Sequence, residues 1–321
     1  LLGLGIAPVL DSFKKGAITN RNNLIEQLEI AVTAAETMAD KKVDSAYMTI
    51  TGDHIRCMNT QGAIALNRNK TNGTISNDPI SQRDINKVLE LTQGIALPPD
   101  RDILHTIPQE FIVDTLEKID NPIGLSGRRL EGHVHLVTAS TSGMENLIES
   151  AEELGINING LVFKPLASAI PTLTKDEMKL GVSLIDIGST TTSIAVFYEG
   201  AVRHSAVIPV GSSSITNDIA VMLRISIEEA EKIKIKYASA KASLSSQKLK
   251  FEIPNSDDNQ MISENELSQY VEARMEEIFQ LAFNEIKRAG RGRTTKTTKS
   301  RFRNKFRKKA SGPWTGSVRP P

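Results

Sequence analysis

The stretch LIDIGSTTTSIAV, Leu184 to Val196, reads as a strand that stops at Asp186-Ile187-Gly188 in a turn of small residues. A second apolar strand follows and runs on through Phe197-Tyr198 to the next turn, Glu199-Gly200. A strand, a glycine turn and a strand can present backbone N–H groups and hydroxyls to a phosphate. In that reading the carboxylate of Asp186 stands close enough to hold a hydrated magnesium. The plainer reading is a β-hairpin whose turn is rich in Ser and Thr. What surrounds the stretch has to separate the two.

Downstream, Ala201 to Val210 reads as the next strand, and Gly211-Ser212-Ser213-Ser214 leads into a helix through Ile215, Ile219 and Met222. Ser226-x-x-Glu229 is a capping box that opens a helix to about Ala240. The polar stretch from Ser243 to Met261 is expected to hold one hairpin. Ser263-x-x-Glu266 is a second box, after which Leu267, Val271, Met275, Ile278 and Ala282 fall on one helical face. Lys287 and Arg288 suit the negative end of that helix, and Gly290 can end it.

Upstream, Leu1 to Val9 is expected to close a strand and enter a loop at Gly16-Ala17-Ile18-Thr19. Leu24, Leu28, Ala31, Ala35 and Met38 predict an amphipathic helix. Strands are expected at Ala46–Ile50 and around Ile55-Arg56-Cys57, with Gln61-Gly62 turning the chain into Ala63-Ile64-Ala65-Leu66. Asn67 to Asp78 reads as a polar loop, and Ile80 to Gly94 as a helix capped by Ser81. Ile103 to Val113 is strand-like but interrupted by Pro108, and Asn121 to Gly127 is a loop. His133 and His135 share one face of a strand, but no carboxylate or thiol neighbour completes a metal site in the sequence. Met144 to Leu154 is a helix ended by Gly155, Leu161-Val162-Phe163 a short strand, and Lys164 to Ala169 the start of a small-residue helix.

The 321 residues are enough for two domains or several subdomains. No apolar run reaches 18 residues, and Leu1 is not preceded by a charged region, so neither a spanning helix nor a signal peptide is expected. Cys57 stands alone, which suits a reducing compartment, and its apolar setting predicts a buried hydrophobe rather than a nucleophile. The net charge of +1 hides a split: thirteen Lys and Arg and no acid follow from Ile286, leaving 26 basic against 38 acidic residues before it. The body is acidic, at −12, and the basicity belongs to the tail.

Together these stretches resemble the FtsA family, actin-like bacterial cell-division proteins, from Leu1 to about Gly290. Asn121-Pro122-Ile123-Gly124-Leu125-Ser126-Gly127-Arg128-Arg129-Leu130 is similar to the family's NPxGLSGxRL, Ile107-Pro108-Gln109-Glu110 to its IPQE, and Val134-His135-Leu136-Val137 to its VHLI. Gly200-Ala201-Val202-Arg203-His204, Ile208-Pro209-Val210-Gly211 and Ile215-Thr216-Asn217-Asp218-Ile219-Ala220 resemble GGALRH, IP and TSDIA in the same order.

The resemblance implies an α/β, actin-like (ribonuclease H-like) ATPase fold with an FtsA-type inserted subdomain. It divides the chain into part of a first domain (1–43), the inserted subdomain (44–137), the rest of the first domain (138–180), and a second domain with the phosphate loop (181–225). A second insertion (226–290) would lie on the adenine side and toward FtsZ, and the basic tail would be 291–321. It implies ATP with magnesium as cofactors, cradled by Asp186, Gly188, Ser189, Thr190, Thr191 and Gly211, with Asp186 holding the metal through water. Glu231 and Lys234, three apart on one helical face, match an AExIK pattern that would contact the adenosine; read alone, they are a solvated helix face.

The family's turn is DIGGGT, so Ser189 and Thr190 replace glycines, which strains the loop if either needs a positive φ. Lys164 lies where chaperone-like relatives place a glutamate, and no other base stands out, so no catalytic residue is assigned. The likeness is expected to stop at Gly290, with a frame change behind the Arg/Lys-rich end that carries Trp314. The first phosphate loop, a Gly-Gly-rich adenosine strand and a membrane-binding helix of the family are not found.

The function implied is an ATP-binding scaffold, at most a weak ATPase, on the cytoplasmic face of the cell membrane at the septum. It would anchor FtsZ polymers, self-associate as an actin-like filament, attach peripherally to the membrane in the intact protein, and recruit other divisome proteins. Exposed Arg274, Lys287 and Arg288 are expected to meet the FtsZ tail peptide. The alternatives are an actin-fold kinase-type enzyme, which needs a base near the γ-phosphate, and a PilM-like pilus-assembly protein, which would lack the NPxGLSG loop. Phe302 and Phe306 interleave with basic residues, but no nucleic-acid partner is expected.

Overall fold

The computed structural model describes residues 1–8, 12–66, 68–71, 74–253, 261–290 and 300–303. In chain order it holds β1 (Phe13–Lys14), β2 (Ala17–Ile18), α1 (Arg21–Ala39), β3 (Ser45–Ile50), β4 (Arg56–Ala65), β5 (Arg68–Thr71), β6 (Thr74–Asn77), α2 (Gln82–Thr92), β7 (Arg101–Val113) and β8 (Leu116–Ile119). Then come β9 (Arg129–Ser140), α3 (Thr141–Glu152), β10 (Asn157–Phe163), α4 (Lys164–Ala169), α5 (Lys175–Leu180), β11 (Val182–Ile187), β12 (Thr192–Tyr198) and β13 (Ala201–Ile208). The described chain continues through α6 (Ser212–Leu223), α7 (Ile227–Tyr237), β14 (Lys250–Glu252), β15 (Met261–Ser263), α8 (Glu264–Gly290) and β16 (Ser300–Arg303).

Three packed units follow from these elements. In the first, β3 and β10 pair in parallel beside α1 and α3, closed by Leu24, Ile50 and Leu147. In the second, β4, β9, β7 and β8 form an antiparallel sheet, with α2 laid over one face through Ile85 and Val88. In the third, β13, β12, β11 and β16 form a sheet in that order, and the α6–α7–α8 cluster packs beside it. The apolar stripe of α8 is buried as its spacing predicts, Leu267, Val271, Met275, Ile278 and Ala282 all lying in the core. Five such side chains contribute about 1.5–3 kcal/mol each, except the smaller Ala282.

Several local expectations are corrected. Gln61-Gly62 makes no turn: β4 is continuous, and Gly62 pairs with Gly132 in mid-strand. The glycine serves close packing, because a Cβ there would meet Thr92 and the Val88 carbonyl of α2 at 3.1–3.2 Å. The expected loop from Asn67 to Asp78 contains the β5–β6 hairpin. Leu1 to Val9 shows no strand over residues 1–8, whereas Ala17–Ile18 is a short strand rather than loop. Strand β3 pairs in parallel with β10, outside the antiparallel sheet that follows it in sequence.

Pro108 does not break β7. It sits at a register shift against β9, between Pro108 and Glu110, and this bulge leaves Gln109 outside the regular pairing. The Gln109 amide then reaches the Val202 carbonyl at 2.6 Å and Asn59 Oδ1 at 3.2 Å. The inserted sheet is in this way fastened to β13.

Candidate functional site

The LIDIGSTTTSIAV stretch is an antiparallel hairpin, Asp186 opposite Ser193, closed by the Gly188 N–H donating to the Thr191 carbonyl at 2.9 Å. Neither Ser189 nor Thr190 has a positive φ, so replacing the two glycines strains nothing. The turn is bolted to the start of α6. Ser212 N–H donates to the Gly188 carbonyl at 2.9 Å, and Ser213 donates to the Ser189 carbonyl through both N–H and Oγ at 2.8 Å. Gly211 makes the approach possible, since a Cβ there would lie 2.4 Å from the Ser189 oxygen and 2.7 Å from that of Gly188. Thr192 Oγ1 adds a bond to the Val210 carbonyl at 2.8 Å.

Helix α7 enters from the other side. Lys234, 4% exposed, donates to Thr216 Oγ1 at 2.8 Å, to Glu231 at 2.5 Å and to the Ser212 carbonyl at 3.4 Å. Thr216 Oγ1 also donates to Glu231 at 2.6 Å. Lys234 is therefore a buried pin between α7 and α6, and Glu231, whose side chain is 45% exposed, is the member of the pair that faces out. Gly211 at the start of α6 carries the Gly188–Thr191 turn, and Thr216 further along the same helix is bonded to Glu231. The Thr216–Glu231 bond has no local sign in the sequence, because a lone Thr on a helix does not point to a partner 15 residues away.

Asp186 has two partners of its own. Ser168 Oγ donates to its Oδ2 at 2.6 Å, and the Lys164 ammonium stands 3.3 Å from its Oδ1. Both carboxylate oxygens are engaged by protein, and among the described residues no three His, Cys, Asp or Glu side chains gather to hold a metal. The surroundings of Asp186 do not fit the expected magnesium, because an ammonium stands at that carboxylate instead.

The partner residues are separated. Arg274 is not exposed: it is half-buried and grips Asp218 with two bonds, 2.7 and 2.9 Å, with Glu277 as a further partner. That pairing raises its pKa above the usual arginine value. The pair sits in a groove of about 460 Å³ floored by Val221, Met222, Tyr270 and Ala273. Lys287 and Arg288 are exposed, the first over the Phe283 ring and the second bonded to Glu285 at 2.6 Å.

The two histidines of β9 take separate partners. His133 lies between Glu131 and Glu110 at 3.0 and 3.2 Å, and His135 is buried between Asn59 and Ser205, each at 2.7 Å. The IPQE, VHL and ALRH motifs thus meet where the inserted sheet touches β13. Cys57 lies in the same contact, and burial raises its thiol pKa to about 11, so it is inert.

Two family models match the chain: "SHS2 domain inserted in FTSA" over residues 52–138 and "Cell division protein FtsA" over residues 183–309. The cell division protein FtsA of Pseudomonas aeruginosa is 37% identical over 292 residues, 90% of this chain and 68% of that protein. The chain belongs to the FtsA family. The FtsA of Escherichia coli K12 is 32% identical over 89% of this chain and 66% of its own length. Among solved structures, the "PilM-PilN type IV pilus biogenesis complex" superposes with a TM-score of 0.58 at 12% identity, covering 90% of this chain and 70% of that one, a likeness of fold. The fold is actin-like with the FtsA insertion, and the chain is a cell-division protein. The insertion matched at 52–138 agrees with β3 lying outside it. The likeness does not stop at Gly290, since the FtsA match runs to residue 309 and β16 pairs in parallel with β11. The remainder of the expected tail lies outside the described residues.

Proposed function

We propose that the chain carries the nucleotide site of an ATP-binding division scaffold. In the intact protein this scaffold links FtsZ polymers to the cytoplasmic face of the membrane at the septum, forms actin-like filaments and recruits septal proteins. The observation that carries the nucleotide reading is the start of α6, where Gly211 lies against the Gly188–Thr191 turn and Thr216, one helical turn on, is bonded to Glu231. Hydroxyls at Ser189 and Thr190 and the Lys164 ammonium suit a phosphate chain, and the Glu231 carboxylate suits a ribose hydroxyl or an exocyclic amine. Among the described residues, the carboxylate beside the turn, Asp186, is held by Ser168 and Lys164, which supports a binding role over a kinase.

Fluorescent ATP and GTP titrations test this reading. Gly211→Val, which pushes α6 off the turn, is expected to weaken both nucleotides at least tenfold, and Glu231→Ala to narrow the preference for adenine. Unchanged affinities in both folded variants would remove the site.

A further inference from the structure

The carboxylate of Asp186 holds an ammonium in place. Lys164 Nζ stands 3.3 Å from Oδ1, while the Ser168 hydroxyl fixes Oδ2 at 2.6 Å. The pair is sheltered, with 27% of the Lys164 side chain and 14% of the Asp186 side chain exposed. The same ammonium lies against the turn, because a Cβ built on Gly188 would stand 3.1 Å from Nζ. A divalent cation drawn to this carboxylate would sit within a few ångströms of that charge, where partial shelter from water strengthens repulsion. An ammonium carries three donors, and one carboxylate oxygen uses one of them.

We propose that Lys164 takes the place of the divalent cation, as the fixed positive charge that meets a polyphosphate at the Gly188–Thr191 turn. Binding there then needs no magnesium. Asp186 positions Lys164, and Ser168 positions Asp186. This rests on the nucleotide reading above but names a different residue and a different ion requirement.

The test is calorimetric titration of the full chain with ATP and with sodium tripolyphosphate, in EDTA and in magnesium. Wild type is compared with Lys164→Ala and Lys164→Arg, with melting curves to check folding. Wild type is expected to bind in EDTA within twofold of its affinity in magnesium. Lys164→Ala should lose at least tenfold in EDTA and regain part of it in magnesium, as the freed Asp186 accepts the hydrated ion, while Lys164→Arg keeps EDTA binding. Tripolyphosphate binding that depends on Lys164, without ATP binding, would support the cation role and remove the nucleotide. ATP binding that magnesium strengthens tenfold in wild type, and that Lys164→Ala leaves unchanged, would keep the nucleotide and overturn this proposal. Binding of neither anion in EDTA overturns it as well.

Discussion

His135 has both ring nitrogens committed, and the partners decide its tautomer. Asn59 gives its Nδ2 to the Arg203 carbonyl, so its Oδ1 is left to accept from His135 Nδ1–H. Nε2 must then accept from the Ser205 hydroxyl, and the ring is neutral. Burial, helped by the neighbouring His204 charge, pulls its pKa down to about 4. A depressed histidine contributes stability above the unfolded value near 6.5, and that stability is lost as pH falls toward 4. For this group the loss between pH 7.5 and pH 5 comes to about 2 kcal/mol by linkage. Urea unfolding at both pH values should show wild type losing that much more than His135→Gln, whose amide does not titrate. Equal pH dependence would mean that the ring is protonated without cost. At this scale the sequence shows the strand that ends near Asp186 and the glycine that opens α6, because a strand–turn signature is local. It hid the Lys164–Asp186 and Thr216–Glu231 contacts, whose partners lie 22 and 15 residues apart and meet only when the elements pack.

Most elements were legible because their periods are strong. The α8 stripe repeats at helical spacing, the Ser226 box closes as read, and Ser81, read as a cap, bonds Asp84. Gly62 was misread because glycine marks a turn and a close approach with the same letter. Its role is testable: Gly62→Val must push the α2 backbone away, a change that costs about 1–3 kcal/mol in a packed core. Ala63→Val, one residue along and facing solvent, should stay within about 0.5 kcal/mol. Urea midpoints of the two variants decide it, and equal midpoints would show that α2 is loosely held. Pro108 was read as an interruption for the same kind of reason: its missing N–H signals a break, yet a bulge accommodates it inside the strand.

Across the whole molecule, α6 serves two contacts: Ser212 and Ser213 at its start hold the Gly188–Thr191 turn, and Asp218, Val221 and Met222 further along line the Arg274 groove. A groove with exposed Val221 and Met222 beside a braced guanidinium suits a short peptide with apolar anchors and a carboxylate, and the proposed link to FtsZ is tested there with its tail peptide. Arg274→Ala is expected to weaken that peptide at least tenfold in fluorescence anisotropy, because Asp218 is left uncompensated in the groove as well. Arg288→Glu, bonded to Glu285 and outside the groove, should change it less than threefold. The reverse order would move the docking surface to the end of α8. The three-unit arrangement was legible as a whole only through the family resemblance, since no periodicity says that β13 will meet β7.

The parallel pairing of β3 with β10 has a consequence for the order of assembly. Ser45–Ile50 and Asn157–Phe163 are neighbours in space, yet the entire inserted sheet is synthesised between them. During synthesis β3 therefore waits, without this partner, until more than a hundred further residues have left the ribosome. The insertion can close before β10 arrives, because Arg56 pairs with Thr138 and its two ends lie side by side. Once closed, it is no longer a long flexible loop but a clip that delivers β10 to β3, and the loop-closure entropy of about ninety residues is met within the insertion itself.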